Sequence, residues 1–233
     1  MKKAICELVN KNYLHRGYFD NEKIPENSIE AFKLALNLNY NIELDVQLTK
    51  DNKIVVFHDF SLKRMCGVNK LLCDCTYEEL KKYNLLNTKY KIPLFIDVLR
   101  LINGKVNLLV ETKVEKYNSK LETELSKILN NYNGIFAIQS FNYLSIKWFK
   151  KNKKEYVIGI LLSKIKLKNK IINILLRPDF VSCNIKYLPN KYIKKKRKKI
   201  YVFGWTFRTL EELNKKKIYC DRLIIEKNIL KKL

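Results

Sequence analysis

Nine short apolar runs, rich in β-branched residues, recur along this chain, and stretches of helical period separate nearly all of them. The runs are "NYLH", "IELDV", "IVVFH", "NLLVE", "IFAIQ", "YVIGILL", "DFVSC", "IYVFGW" and "RLIIE". Between them lie stretches such as "ENSIEAFKLALNLN", "YNSKLETELSKILNNYN", "FNYLSIKWFKKNKK" and "TLEELNKKK". Strands alternating with helices imply βαβ units, because a parallel neighbour can be reached only by a crossover. One pair breaks the rule: in "IELDVQLTKDNKIVVFH" the turn "TKDN" is too short for a helix, so the second run is expected to return as a hairpin. Eight βα units and one extra strand remain. In a chain of 233 residues this predicts one α/β domain spanning 1–233, a (β/α)8 TIM barrel near the lower end of its usual length. A doubly wound open sheet is the alternative. The segment at about 60–92 fits neither a strand nor a single helix, and is expected to be a small insertion after the second strand and its hairpin, lying over one mouth of the barrel. Asn27 is expected to cap the helix in "SIEAFKLAL", with Glu30 completing a capping box.

Composition removes several classes. An apolar fraction of 47% supports a folded core instead of a disordered basic tail. No window of about eighteen apolar residues offers a membrane span, and "MKKAICELVNKN" lacks the apolar core of a signal peptide, so a cytoplasmic location is expected. Six cysteines are scattered without a CxxC pair and read as reduced thiols. The net charge of +24 would suit nucleic acid, an anionic membrane surface or a phosphate-bearing substrate. The lysines, however, run along the whole chain in a sequence rich in Lys, Asn and Ile, which favours a compositional origin. Only "KKKRKK", Lys194 to Lys199, is dense, and it is expected to be a solvated helix end ahead of a strand.

In a barrel, reactive groups sit at the C-terminal ends of strands. Polar residues collect at these ends: His15-Arg16, Glu43 and Asp45, His58-Asp59, Glu111 and Lys113, Gln139, and Trp205. Glu43 and Asp45 are two apart on a strand and share a face, as do Glu111 and Lys113. Three carboxylates in one barrel mouth repel one another unless a cation sits among them, and oxygen-only ligands suit Mg²⁺ or Ca²⁺. The plainer alternative is internal salt bridges to Lys113 and Arg16. Both histidines of the chain, His15 and His58, end apolar runs, which fits one taking a proton while the other gives one. Arg16 and Lys113 would hold an anion, Arg16 with a fork matched to phosphate oxygens. Together these groups describe phosphoester cleavage.

The same residues resemble an ordered series in the glycerophosphodiester phosphodiesterase family, whose fold is a (β/α)8 barrel. "HRG" (His15–Gly17) is followed by "PENSIEAFKLAL", then "IELDVQLTKDNKIVVFHD", "CTYEELKKY" and "IPLFIDVLRLI", "LLVETK", "QSF" and "VFGWT". The resemblance implies that His15 and His58 are the general acid/base pair and that Glu43, Asp45 and Glu111 bind a divalent metal. It further implies that Arg16 and Lys113 contact phosphate and that Trp205 forms an apolar wall of the substrate site. The implied reaction cleaves small glycerophosphodiesters to sn-glycerol 3-phosphate and an alcohol, with either water or the glycerol 2-hydroxyl as first nucleophile. The chain departs from the pattern where Asn39 and Asn52 stand for glycines, a swap that asparagine's tolerance of left-handed backbone permits. It departs again at "MCG" after Arg64 and at "CDRLIIEKN". A lysophospholipase D-like activity at membranes is a second reading, although no amphipathic helix with a strong aromatic face stands out. A basic nucleic-acid-binding protein with an inactive barrel is a third; nucleic acid is not the expected partner, and nothing in the sequence indicates an oligomeric state.

Overall fold

The computed structural model describes residues 3–230. Its strands are β1 (Tyr13–His15), β2 (Asn41–Leu48), β3 (Ile54–Val56), β4 (Leu108–Thr112), β5 (Phe136–Ser140), β6 (Val157–Leu162), β7 (Phe180–Asn184), β8 (Tyr201–Phe207) and β9 (Arg222–Ile225). Eight of them are parallel and close into a barrel, running β1-β2-β4-β5-β6-β7-β8-β9 and back to β1. β3 lies outside that ring, antiparallel to β2, with Val46 opposite Val56. This is the (β/α)8 barrel expected from the sequence, and the hairpin return falls where the short "TKDN" turn put it. The main helices are α1 (Lys3–Leu8), α2 (Ile29–Asn37), α3 (Lys63–Cys66), α4 (Tyr77–Leu80), α5 (Phe95–Ile102), α6 (Lys120–Leu129), α7 (Tyr143–Asn152), α8 (Leu167–Leu176), α9 (Lys191–Arg197), α10 (Leu210–Lys216) and α11 (Lys227–Leu230).

The pleat divides each strand into an outer and an inner set of side chains. Outward-facing Leu14, Ile42, Leu44, Val110, Ile138, Ile158, Val181 and Val202 pack under the helices, against Phe32, Leu99, Leu125 and Phe149. The inner face carries a second, separate cluster near one end: Tyr13, Leu109, Ala137, Val157, Phe180, Phe203 and Ile224. Helix α1, which the strand-and-helix pattern did not reveal, plugs that end with Ile5 and Leu8, and the Tyr13 hydroxyl donates to the Leu8 carbonyl at 2.8 Å. Phe180 and Phe203 stack at 4.7 Å, and Phe180 occupies the space that any side chain on Gly159 would need. Two residues further along, the inner face turns polar: His15 follows Tyr13, Glu111 follows Leu109, Gln139 follows Ala137, Ser182 follows Phe180 and Trp205 follows Phe203. An apolar floor therefore supports a polar mouth at the C-terminal ends of the strands.

Residues 60–92 lie between β3 and α5, the stretch read in the sequence as an insertion. Leu62, Met65, Leu72, Leu80, Leu85 and Ile92 pack with Val55 and Phe57 into a small core of their own. Asn39 and Asn52 adopt the left-handed backbone inferred for them, with φ of 55° and 60°. The lysine run ends α9 ahead of β8, as expected. The helix start at α2 differs from expectation. Ser28, not Asn27, is the cap, its side chain accepting from the Ala31 N–H, and the Asn27–Glu30 capping box does not form. Asn27 instead turns its amide toward β2.

Candidate active site

His15 closes β1, and the chain turns sharply after it. Arg16 takes a left-handed φ of 56°, a conformation rare for a side-chain-bearing residue and one that holds only where its surroundings enforce it. That turn aims the Arg16 backbone N–H at Glu43 Oε2, 3.1 Å away. It also places the guanidinium 3.3 Å from Asp45 Oδ2 and 2.8 Å from Glu26 Oε1. Gly17 (φ 81°) follows, pressed so closely to α2 that a Cβ would lie 3.0 Å from the Ala31 backbone.

Glu43 and Asp45 lie on the inner face of β2, where Asp45 pairs in register with Glu111 of β4. All three carboxylates are buried, and one oxygen of each lies within 4.8 Å of the others. Burial, and then the charges of Asp45 and Glu111, push the Glu43 carboxyl well above its ordinary range. Burial and Asp45 push Glu111 up to about 7. Burial would raise Asp45 as well, but Arg16, His58, Lys113 and the Asn27 amide outweigh it and hold Asp45 at about 2. Three ionised carboxylates here therefore need more positive charge than Arg16 and Lys113 supply. The donors are oxygens only, which is the chemistry of a hard divalent cation and not of zinc. Among the described residues this is the one such group of His, Cys, Asp and Glu side chains, and the six cysteines are free thiols. The salt bridges weighed as an alternative exist too: Lys113 Nζ lies 2.8 Å from Glu111 Oε1 and 3.9 Å from Asp45 Oδ1.

His58 follows β3 and enters the same mouth. Its Nδ1 lies 2.6 Å from Asp59 Oδ1. Because an ionised carboxylate only accepts, Nδ1 carries the hydrogen and Nε2 is left with its lone pair. Asp59 is gripped by Arg64, with Nε donating to Oδ2 at 2.6 Å, and Arg64 continues to Glu26 at 2.6 Å. His15 is matched by a second carboxylate, Glu226, 3.4 Å from its Nδ1, and Glu226 is held by Arg208 at 2.9 Å. Burial lowers the pKa of both imidazoles, so both are neutral near pH 7.

His15, Arg16, Glu43, His58, Glu111, Gln139 and Trp205 line one cavity of about 90 Å³. Trp205 forms its apolar side, with Phe141 edge-on at 5.5 Å. All eight residues given roles by the resemblance thus gather at one end of the barrel. Sequence reasoning missed Glu26, Arg64, Glu226 and Arg208, and misread Asn27, whose amide donates to Asp45 Oδ2 at 2.9 Å. "PEN" and "HDFSLKR" held signals for the first two and for Asn27. Glu226 and Arg208 had none, because they meet His15 only through closure of β9 against β1.

The Glycerophosphoryl diester phosphodiesterase family matches the chain over residues 15–224. A curated relative, glycerophosphodiester phosphodiesterase of Caldanaerobacter subterraneus subsp. tengcongensis, is 37% identical over 159 residues, 63% of this chain and 64% of that protein. The chain thus spans a little under two-thirds of that relative's length. Among solved structures, an Oleispira antarctica phosphodiesterase in complex with the product sn-glycerol-3-phosphate is 19% identical, with a TM-score of 0.87 over 98% of this chain and 96% of that one. The glycerophosphodiester phosphodiesterase of Thermotoga maritima is 26% identical, with a TM-score of 0.78 over 96% of this chain and 98% of that one. The match runs from His15, the last residue of β1, to Ile224 in β9, nearly the whole barrel, and on it this chain belongs to the glycerophosphoryl diester phosphodiesterase family.

Proposed function

We propose that this chain hydrolyses small glycerophosphodiesters to sn-glycerol 3-phosphate and an alcohol, using His15 and His58 as the proton-transfer pair. The observation that carries this reading is that two neutral imidazoles, each backed at Nδ1 by a carboxylate, share one small cavity with the Glu43–Asp45–Glu111 cluster. A divalent cation, Mg²⁺ or Ca²⁺, held by Glu43, Asp45 and Glu111 would supply positive charge for the non-bridging phosphoryl oxygens.

The protein's own groups do the rest. Arg16 and Lys113 bind the phosphate anion, and both keep their charge because burial, which would lower their pKa values, is outweighed by the carboxylates around them. One neutral histidine accepts the proton of the attacking hydroxyl at Nε2. The other takes up a proton from solvent as the phosphate anion binds beside it, and as the imidazolium gives its Nε2 proton to the departing alkoxide. Asp59 fixes the His58 ring through its hydrogen bond, and Asp59 and Glu226 stabilise whichever imidazolium forms. Trp205 and Phe141 give the carbon skeleton an apolar wall and keep bulk water from that side. The phosphodiesterase of the same fold that was solved with its product sn-glycerol-3-phosphate supports the product assignment.

The test is release of glycerol 3-phosphate from glycerophosphocholine and glycerophosphoethanolamine, with Mg²⁺ or Ca²⁺ added and then with EDTA. Release that depends on the cation is expected. Undiminished release after exhaustive chelation removes the metal from the proposal.

A further inference from the structure

Helix α8 breaks the pattern of the barrel's outer ring. Such helices turn one face to the barrel and a polar face to water, as α6 does by burying Leu121, Leu125 and Leu129. In α8, Ile172 and Leu176 pack against the barrel core. The outward side is also apolar: Leu167 is 71% exposed, Ile171 49%, Ile174 62% and Leu175 74%. These positions follow the i, i+4, i+7, i+8 spacing of a single helical face. No other helix among the described residues presents so many exposed aliphatic side chains together. This face is aliphatic and not aromatic.

The charge around that face is one-sided. Residues 156–210 hold fourteen Lys and Arg and a single acid, Asp179, so this quarter of the chain carries +13 of the total +24. Lys164 and Lys166 precede α8 and are exposed. On the neighbouring α9, Tyr192 receives Lys170 of α8 at 5.6 Å and Lys196 at 5.9 Å, which brings the Lys194–Lys199 run alongside. Helix α7, in contact with α8, adds exposed Lys147 and Lys151. An aliphatic stripe bordered by lysines on both sides matches the acyl and headgroup layers of an anionic bilayer. The start of α8 follows β6 and so lies at the catalytic end of the barrel, the end at which Phe141 and Tyr143 are exposed too.

We propose that α8, flanked by the basic helices α7 and α9, docks this protein onto an anionic lipid surface. Leu167, Ile171, Ile174 and Leu175 enter the acyl boundary, while the lysines remain with the headgroups. The contact needs neither His15 nor His58, so it stands or falls separately from the catalytic reading.

Flotation of the purified full chain with phosphatidylcholine vesicles, with and without about 30 mol% phosphatidylglycerol, tests the proposal. The wild type is expected to float with the anionic vesicles alone and to be released as salt rises. The triple variant Ile171→Ser, Ile174→Ser, Leu175→Ser, with an unchanged melting temperature, is expected to lose at least about tenfold in partitioning. Lys194→Ala, Lys195→Ala, Lys198→Ala is expected to weaken binding to anionic vesicles and to flatten its salt dependence. Three results overturn the proposal. They are a wild type that stays with the soluble fraction, a serine variant that binds as tightly as wild type, and sedimentation showing that the serine variant instead dissolves a dimer. Salt-sensitive retention on RNA in place of vesicles overturns it equally.

Discussion

His58 and Asp59 are sequence neighbours whose side chains bond to each other, Nδ1 to Oδ1 at 2.6 Å. Asp59 is in turn fixed by Arg64, and Arg64 by Glu26, the residue that also holds Arg16. A line of alternating charges, Asp59, Arg64, Glu26 and Arg16, thus links a catalytic candidate just after β3 to a phosphate-binding candidate after β1. Burial would raise Asp59, but Arg64 and His58 outweigh it and hold its carboxyl at about 2, so it stays ionised through the working pH range.

Asp59→Asn keeps the size of the side chain and removes its charge. His58 loses the acceptor that fixes its tautomer and stabilises its imidazolium, so kcat is expected to fall at least about tenfold with little change in KM. Steady-state kinetics on glycerophosphocholine checks this. A rise in KM alone would mean that Asp59 serves binding instead.

The buried carboxylates tie stability to pH when no cation is bound. Glu111 is raised from 4.5 to about 7 and Glu43 is raised well above 4.5, so the folded protein binds more protons than the unfolded one. Stability from these groups is complete below about 4.5 and is lost as pH climbs to about 7. In EDTA the melting temperature is therefore expected to fall across that window, and Glu43→Gln is expected to match or exceed wild type at pH 7. Added Mg²⁺ or Ca²⁺ should raise the wild-type melting temperature, and that of Glu43→Gln by less. A wild type whose stability ignores both pH and cation would contradict the site.

Gly17→Ala is expected to cost about 1–3 kcal/mol, since alanine is strained at φ 81° and its Cβ would press on the Ala31 backbone. Urea unfolding measures it. A neutral result would mean that the β1–α2 turn is less constrained than its packing requires.

The barrel could be read from sequence because its signal is periodic and local. Nine apolar runs and their spacing survive in nine strands, and the short "TKDN" turn forces the one antiparallel return. The site residues could be read because the pleat makes inward positions recur every second residue, so polar groups at strand ends converge once the barrel closes. What lay hidden is long-range. Glu226 reaches His15 across the β9–β1 seam, Asn27 bonds Asp45 because Ser28 takes over the cap, and α1 plugs a floor whose residues are scattered over seven strands. The apolar face of α8 was hidden for another reason: helical period shows that side chains share a face, not that the face lacks a neighbour.

The claim that His15 and His58 share proton transfer is tested most directly by glycerol 3-phosphate release from glycerophosphocholine at saturating cation in His15→Ala and His58→Ala, with circular dichroism confirming the fold. Each variant is expected to lose at least about a hundredfold in kcat, the lower end for acid–base catalysis. Near-normal rates in both would contradict the account.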